Sequence, residues 1–249
     1  METWYFAGYH LTRHGLSLLN PEMMKSSAVT NLSFKCTSFG PNSSSLLADL
    51  VLRTPNLRTL DLETTELGDK GAKQFIEFIT GHTVSLRHLY LNANGIGQNA
   101  CSALSQCLAD PHYALESLFL STNPIGDAGM LLLAPGLAKN KTLKRVTFAT
   151  AGLTSKGVAC IANALSEGDH PIQSLALGAS MTPKAHGQRF KFLEDDYIEA
   201  LKPFILLPHL RWLDLGRTVF SADGFQDIRS TVANSELIYF NMHRVQITN

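Results

Sequence analysis

Carboxylates, imidazoles and thiols come first, because their spacing decides whether a chain can carry out a reaction. Asp61 and Glu63 stand two places apart, so on an extended strand both project from one side. Such a pair has the composition of an acid–base dyad, and equally that of an ordinary solvated charged spot. Nine histidines are scattered along the chain, and His88 and His243 fall in segments too far apart to share a metal. The four cysteines, at positions 36, 101, 107 and 160, match neither a zinc site nor a regular disulfide ladder. No phosphate-binding loop, H-E-x-x-H, G-x-S-x-G or CxxC pair occurs. The expectation is a protein with no catalytic residues, no bound metal and no cofactor. What remains is recognition chemistry, carried by aromatic and charged side chains at regular spacing.

That spacing comes from a repeat. Leu57, Leu86, Leu115 and Leu143 each open an eleven-residue segment, reading LRTLDLETTEL, LRHLYLNANGI, LESLFLSTNPI and LKRVTFATAGL. Apolar residues recur at the first, fourth, sixth and eleventh places, at intervals of 29, 29 and 28 residues. Weaker copies begin at Met1, Val29, Ile172, Leu210 and Leu237, which gives nine strand segments and one domain over residues 1–249. Between strands the period becomes helical, as in Ala72, Phe75, Ile76 and Ile79 or Val158, Ile161, Ala162 and Leu165. Asp69, Asp127, Ser155 and Ser221 precede these runs as helix caps would, and Pro135 and Pro203 predict helices kinked or ended early. One strand and one helix per unit predict a parallel sheet with helices on one side, each unit burying its neighbour.

With its L-x-x-L-x-L core and the stretches Asn94-Gly95-Ile96-Gly97 and Asn123-Pro124-Ile125-Gly126-Asp127, the chain resembles the ribonuclease-inhibitor-type leucine-rich repeats. Similar repeats occur in Ran GTPase-activating protein, in the sensor ends of nucleotide-binding innate immune receptors and in some bacterial effectors. The resemblance implies an α/β solenoid, a horseshoe of about nine β-α units with the sheet on the concave face and helices on the convex face. It implies a protein–protein interaction module that grips a folded partner through the concave sheet and rim loops. It also leaves open a GTPase regulator, or the sensor or targeting domain of a larger receptor or effector. At the ninth template place the family carries an asparagine that bonds the turning backbone, supplied here by Asn94 and Asn123. Thr37, Thr65, Ser180 and Thr218 would bond more weakly there, and Ala151 and Val245 not at all. Polar terminal caps are missing, which implies a piece of a longer chain or ends covered by a partner or by a second copy.

Lysine plus arginine equals aspartate plus glutamate at 21 each, so charge offers no argument for nucleic acid or an acidic membrane. The first twenty residues lack the layout of a signal peptide, and no apolar stretch approaches a membrane span. With cysteines read as reduced, this points to the cytoplasm. Cys101, Cys107 and Cys160 fall in helical patterns as small buried residues, while Cys36 is expected to be exposed on the strand face.

Strand alternation sends places three, five and seven to the open face. There Tyr90 and Phe119 share a column on adjacent strands, flanked by Asp61 and Glu63 on one side and Arg145 on the other, with His88 nearby. Trp212 lies beside Tyr239 in a second cluster, with Arg217 alongside. Aromatics ringed by charge resemble an interface hot spot, although they also pack as cross-strand filler. The step from Ile172 to Leu210 is ten residues longer than the others and places an insertion at 183–192. That loop carries Lys184, His186, Arg189 and Lys191, a set suited to a phosphate or an acidic partner segment, or else a tolerated surface excursion.

Overall fold

A computed structural model describes residues 2–8, 11, 13–23, 28–166, 170–178, 191–192, 195–243 and 246–248. Nine short strands form one parallel sheet: β1 (Glu2–Tyr5), β2 (Val29–Ser33), β3 (Thr59–Asp61), β4 (His88–Tyr90), β5 (Ser117–Phe119), β6 (Arg145–Thr147), β7 (Ser174–Ala176), β9 (Trp212–Asp214) and β11 (Tyr239–Asn241). They neighbour one another in chain order, with β8 (Lys191–Phe192) left out. Eight helices alternate with the strands among the described residues: α1 (Arg13–Met23), α2 (Ser44–Arg53), α3 (Gly68–Ile79), α4 (Gln98–Ala109), α5 (Gly126–Lys139), α6 (Ser155–Ser166), α7 (Asp195–Ile205) and α8 (Ala222–Ala233).

The core lies between sheet and helices and follows the template. In the four clearest units the residues at places one, four, six and eleven, from Leu57 through Leu153, are at most 2 % exposed. The helices add Ala72, Phe75, Ile76 and Ile79 from α3, and Val158, Ile161, Ala162 and Leu165 from α6. In the first and last units the same places, Trp4, Phe6, Leu237 and Phe240, are only partly buried. From β3 to β9 the register is in phase, with Leu60, Leu89, Leu118, Val146, Leu175 and Leu213 side by side in one row, while β1 shifts against β2 between Glu2 and Thr3.

Asparagines 94 and 123 tie the turns together. Asn123 Oδ1 accepts from the amides of Asn94 (2.9 Å) and Ile96 (3.0 Å), and its Nδ2 donates to the Leu91 and Leu120 carbonyls, both at 2.9 Å. Asn94 does the same one unit earlier, accepting from Thr65 N (3.1 Å) and Leu67 N (3.2 Å). At the weaker ninth places Thr37 donates to Phe6 O (2.7 Å), Thr65 to Leu62 O (2.9 Å) and Thr218 to Leu215 O (2.5 Å). One place earlier the backbone is left-handed: φ is +59° at Cys36, +57° at Thr64, +54° at Ala93, +60° at Thr122, +56° at Thr150 and +58° at Arg217. Non-glycine residues pay roughly 1–2 kcal/mol for that conformation. The cross-unit hydrogen bonds that follow the turn offset the strain.

Several local expectations are revised. Asp69 and Asp127 do not cap their own helices; each lies in the first turn and reaches one unit onward. Asp69 accepts from the amides of Gly97 (2.9 Å), Asn99 (3.2 Å) and Ala100 (2.9 Å), the first turn of α4. Asp127 likewise accepts from Thr154 N (2.9 Å) and Gly157 N (3.0 Å) at the start of α6. Burial pushes the Asp69 carboxyl pKa up, but the bonds from Ala100, Asn99 and Gly97 outweigh it and leave it below the usual range. Ser155 is the first residue of α6 rather than its cap, whereas Ser221 caps α8, accepting from Gly224 N at 2.9 Å.

Pro135 does not end its helix, for α5 runs four residues further, to Lys139. Ser105 Oγ of α4 accepts the Gly136 amide at 2.9 Å, giving it a partner beside the proline. Here α4 and α5 touch backbone to backbone: a Cβ on Gly136 would come within 2.5 Å of Ser105 Cα.

A second parallel sheet was not anticipated. It joins β12 (Gln246–Thr248), β10 (Thr218–Ser221) and β8, with Thr218 opposite Lys191 and Val219 opposite Phe192. By that pairing Lys191 and Phe192 stand beside the ninth and tenth places of the eighth unit, while Ser180, expected at the ninth place of the seventh, lies outside the described residues. The insertion ends before Lys191, because that residue's backbone is pinned in a strand.

Candidate functional site

The open face of the sheet brings together most of the residues singled out by the repeat. Tyr90 and Phe119 are directly opposed across β4 and β5, with ring centroids 4.2 Å apart and planes within 6°. On the other side Asp61 stands opposite Tyr90 across β3 and β4. Asp61 Oδ2 accepts from Ser33 Oγ (3.0 Å) and Oδ1 from Glu63 N (3.0 Å). Glu63 pairs with Lys35 at 3.1 Å and raises the Lys35 pKa by hydrogen bond and charge, so the acidic spot is partly neutralised in place. Asn92 donates to Glu63 Oε2 at 3.4 Å and accepts from Ser121 N at 2.8 Å, bracing the next column.

His88 lies half-buried with Nδ1 3.1 Å from Ser117 Oγ. Burial lowers its pKa, and Arg145, Arg87 and Lys144 add to this against the pull of Glu116. Ser117, expected on the open face, is only 2 % exposed beneath its neighbours. Arg145 is exposed on β6 but stands opposite Ser117, while Thr147 faces Phe119. Arg145 therefore borders the histidine column rather than the aromatic pair. Next to it Glu116 binds Lys144 at 2.8 Å and Arg87 at 3.9 Å, and the Lys144 bond holds its carboxyl below the ordinary range.

The second cluster forms as a separate stack. Trp212 and Tyr239 are opposed across β9 and β11, with centroids 5.2 Å apart and planes within 4°. Arg211 does not join it, since its guanidinium bonds the Pro208 (2.7 Å) and Leu210 (3.2 Å) carbonyls; Arg217 sits on the left-handed turn after β9. Three strand steps, about 14 Å, separate Phe119 from Trp212, so the two stacks are distinct features. The floor between them carries the small residues Thr147, Ala149, Ser174, Ala176 and Gly178, with Arg145 exposed among them.

Of the insertion residues, Lys184, His186 and Arg189 lie outside the described residues. Lys191 is placed by its backbone alone, in β8.

A cavity passed over by the sequence reading opens at the other end of the sheet. It has a volume of about 310 Å³ and is lined by Thr3, Tyr5, Asn31, Ser33, Thr59, Asp61 and Tyr90, with Leu32 beneath. Apart from Leu32 these are the third- and fifth-place residues of the first three units, with the fifth-place Tyr90 of the fourth. The alternation of a weakly patterned first strand was the signal available, and only register fixes Tyr5 as one wall.

Thiol chemistry is confined. Burial pushes Cys101 and Cys107 up to about 12, while Cys36 is exposed on its left-handed turn rather than on the strand. Among the described residues no group of three or more His, Cys, Asp or Glu could hold a metal, and no helix is long and apolar enough to cross a membrane.

The family described as Leucine Rich repeat matches residues 54–75 and 115–134, which span β3 into α3 and β5 into α5. The fold is an α/β solenoid of leucine-rich-repeat type. No curated protein matches it. Among solved structures, an internalin from Listeria monocytogenes is similar at 13 % identity, covering 98 % of this chain and 81 % of that chain with a TM-score of 0.30. That score is too low to add to what the solenoid's own sheet and helices establish.

Proposed function

We propose that this solenoid is a protein-interaction module whose open sheet face holds a folded partner. The observation that carries this is the Tyr90–Phe119 stack, a rigid pair of aromatic rings on the open side of the sheet. Aromatic area held rigid before binding costs little ordering entropy, which favours it as an anchor. Asp61 and Glu63 flank the stack on the β3 side, and the His88 column bordered by Arg145 lies one row away, so the surroundings are polar and carry both signs of charge. Trp212 and Tyr239 form a second anchor, and Arg217 borders it. A partner long enough to span the small-residue floor would touch both.

Affinity capture followed by crosslinking mass spectrometry tests this by naming a partner and the face it touches. Crosslinks should fall on the strand side, and joint replacement of Tyr90 and Phe119 by alanine should weaken binding by about 2–4 kcal/mol. Crosslinks confined to the helices, or unchanged affinity of the double variant, would remove the open face from the site.

A further inference from the structure

The cavity between Tyr5 and Tyr90 has the chemistry of a receptor for a single cationic side chain. One face of the Tyr90 ring is covered by Phe119 at 4.2 Å, so the opposite face looks along the sheet toward β3, where Asp61 stands directly opposite. Neighbouring strands lie about 4.8 Å apart, so the short Asp61 carboxylate stands at the foot of the uncovered π-face, at the edge of a cavity of about 310 Å³ with room for a planar group above it. Each Asp61 oxygen already accepts one hydrogen bond, from Ser33 Oγ and from Glu63 N, and retains acceptor capacity. Among the described residues no lysine or arginine is bridged to it, since the nearby Lys35 is engaged by Glu63. The remaining lining, Thr3, Asn31 and Thr59, is polar, and Tyr5, 72 % exposed, stands as a further wall.

We infer that this cavity binds an arginine side chain presented by the protein partner. The guanidinium would stack on the free face of Tyr90 and donate to Asp61, while the adjoining partner residue packs on Tyr5. Arginine fits better than lysine because its planar, weakly hydrated fork can stack and pair at once. This deepens the interaction reading above, because it supplies the chemical class of the partner's contact, and it rests on that reading for its biological use.

The pocket can nevertheless be tested without any partner. The probe is N-acetyl-arginine amide, titrated into isotope-labelled protein and followed by NMR. Saturable shifts are expected at Ser33, Asp61 and Tyr90, and none of comparable size with the isosteric neutral N-acetyl-citrulline amide. Asp61→Asn should weaken the arginine response about tenfold, the order expected for loss of a charge-assisted bond. Tyr90→Phe, which keeps the π-face, should retain the response, while Tyr90→Leu should lose it with the fold intact by circular dichroism. Equal shifts from arginine and citrulline, or an unchanged response in Asp61→Asn, overturn the assignment. If the pocket fails while a partner still crosslinks to the open face, only this inference falls. If arginine saturates the pocket but no partner uses the face, it is the broader reading that falls.

Discussion

Replacing Asn123 by alanine should remove more stability than any other single polar change in the turns. The side chain is fully buried, and its loss strands the amides of Asn94 and Ile96 and the carbonyls of Leu91 and Leu120. A buried backbone group left without a partner costs about 1–3 kcal/mol, and four such groups set an upper range that water entry and relaxation reduce to about 3–5 kcal/mol. Asn123→Thr should cost less, because a threonine hydroxyl at the ninth place still reaches a carbonyl, as Thr65 does at 2.9 Å. Urea unfolding followed by circular dichroism measures both, with the slope checked so that a change in cooperativity is not read as stability. A cost below about 1 kcal/mol at unchanged slope would refute the claim that the asparagine ladder offsets the left-handed turns.

Other outcomes follow from the same contacts. Gly136→Ala would ordinarily stabilise a helix by roughly 1 kcal/mol, yet here its Cβ collides with the Ser105 backbone, so a net loss near 3 kcal/mol is expected in the same assay. Asp69 has a folded pKa below its unfolded value, so its contribution is present above the unfolded pKa and vanishes as pH falls through the folded one. Between pH ~5 and ~3 the parent protein should therefore lose more stability than Asp69→Asn, measured by melting at each pH. A double-mutant cycle on Tyr90 and Phe119 should give about 1 kcal/mol of coupling in stability, the worth of a stacked pair beyond burial. Iodoacetamide at pH ~8 should label Cys36 quickly and leave Cys101 and Cys107 untouched in the native protein, read as mass added per chain.

The sequence alone determined the period, the row of Leu60, Leu89, Leu118 and Val146, and the placing of Tyr90 beside Phe119 and Trp212 beside Tyr239. It could do so because strand alternation and helical spacing are local properties, repeated often enough to be read without knowing the fold. Tertiary structure decided what depends on the neighbouring unit. Asp69 looks like a cap for α3, and only stacking reveals that the first turn of α4 is nearer to its carboxylate. Cys36, Thr64, Ala93, Thr122, Thr150 and Arg217 carry no residue preference for positive φ, so the turn is imposed by hydrogen bonds from the adjacent repeat. Gly136 reads as a weak helical residue until Ser105 is found against it. The second sheet and the cavity between Tyr5 and Tyr90 arise the same way, from side-by-side register that no single segment encodes.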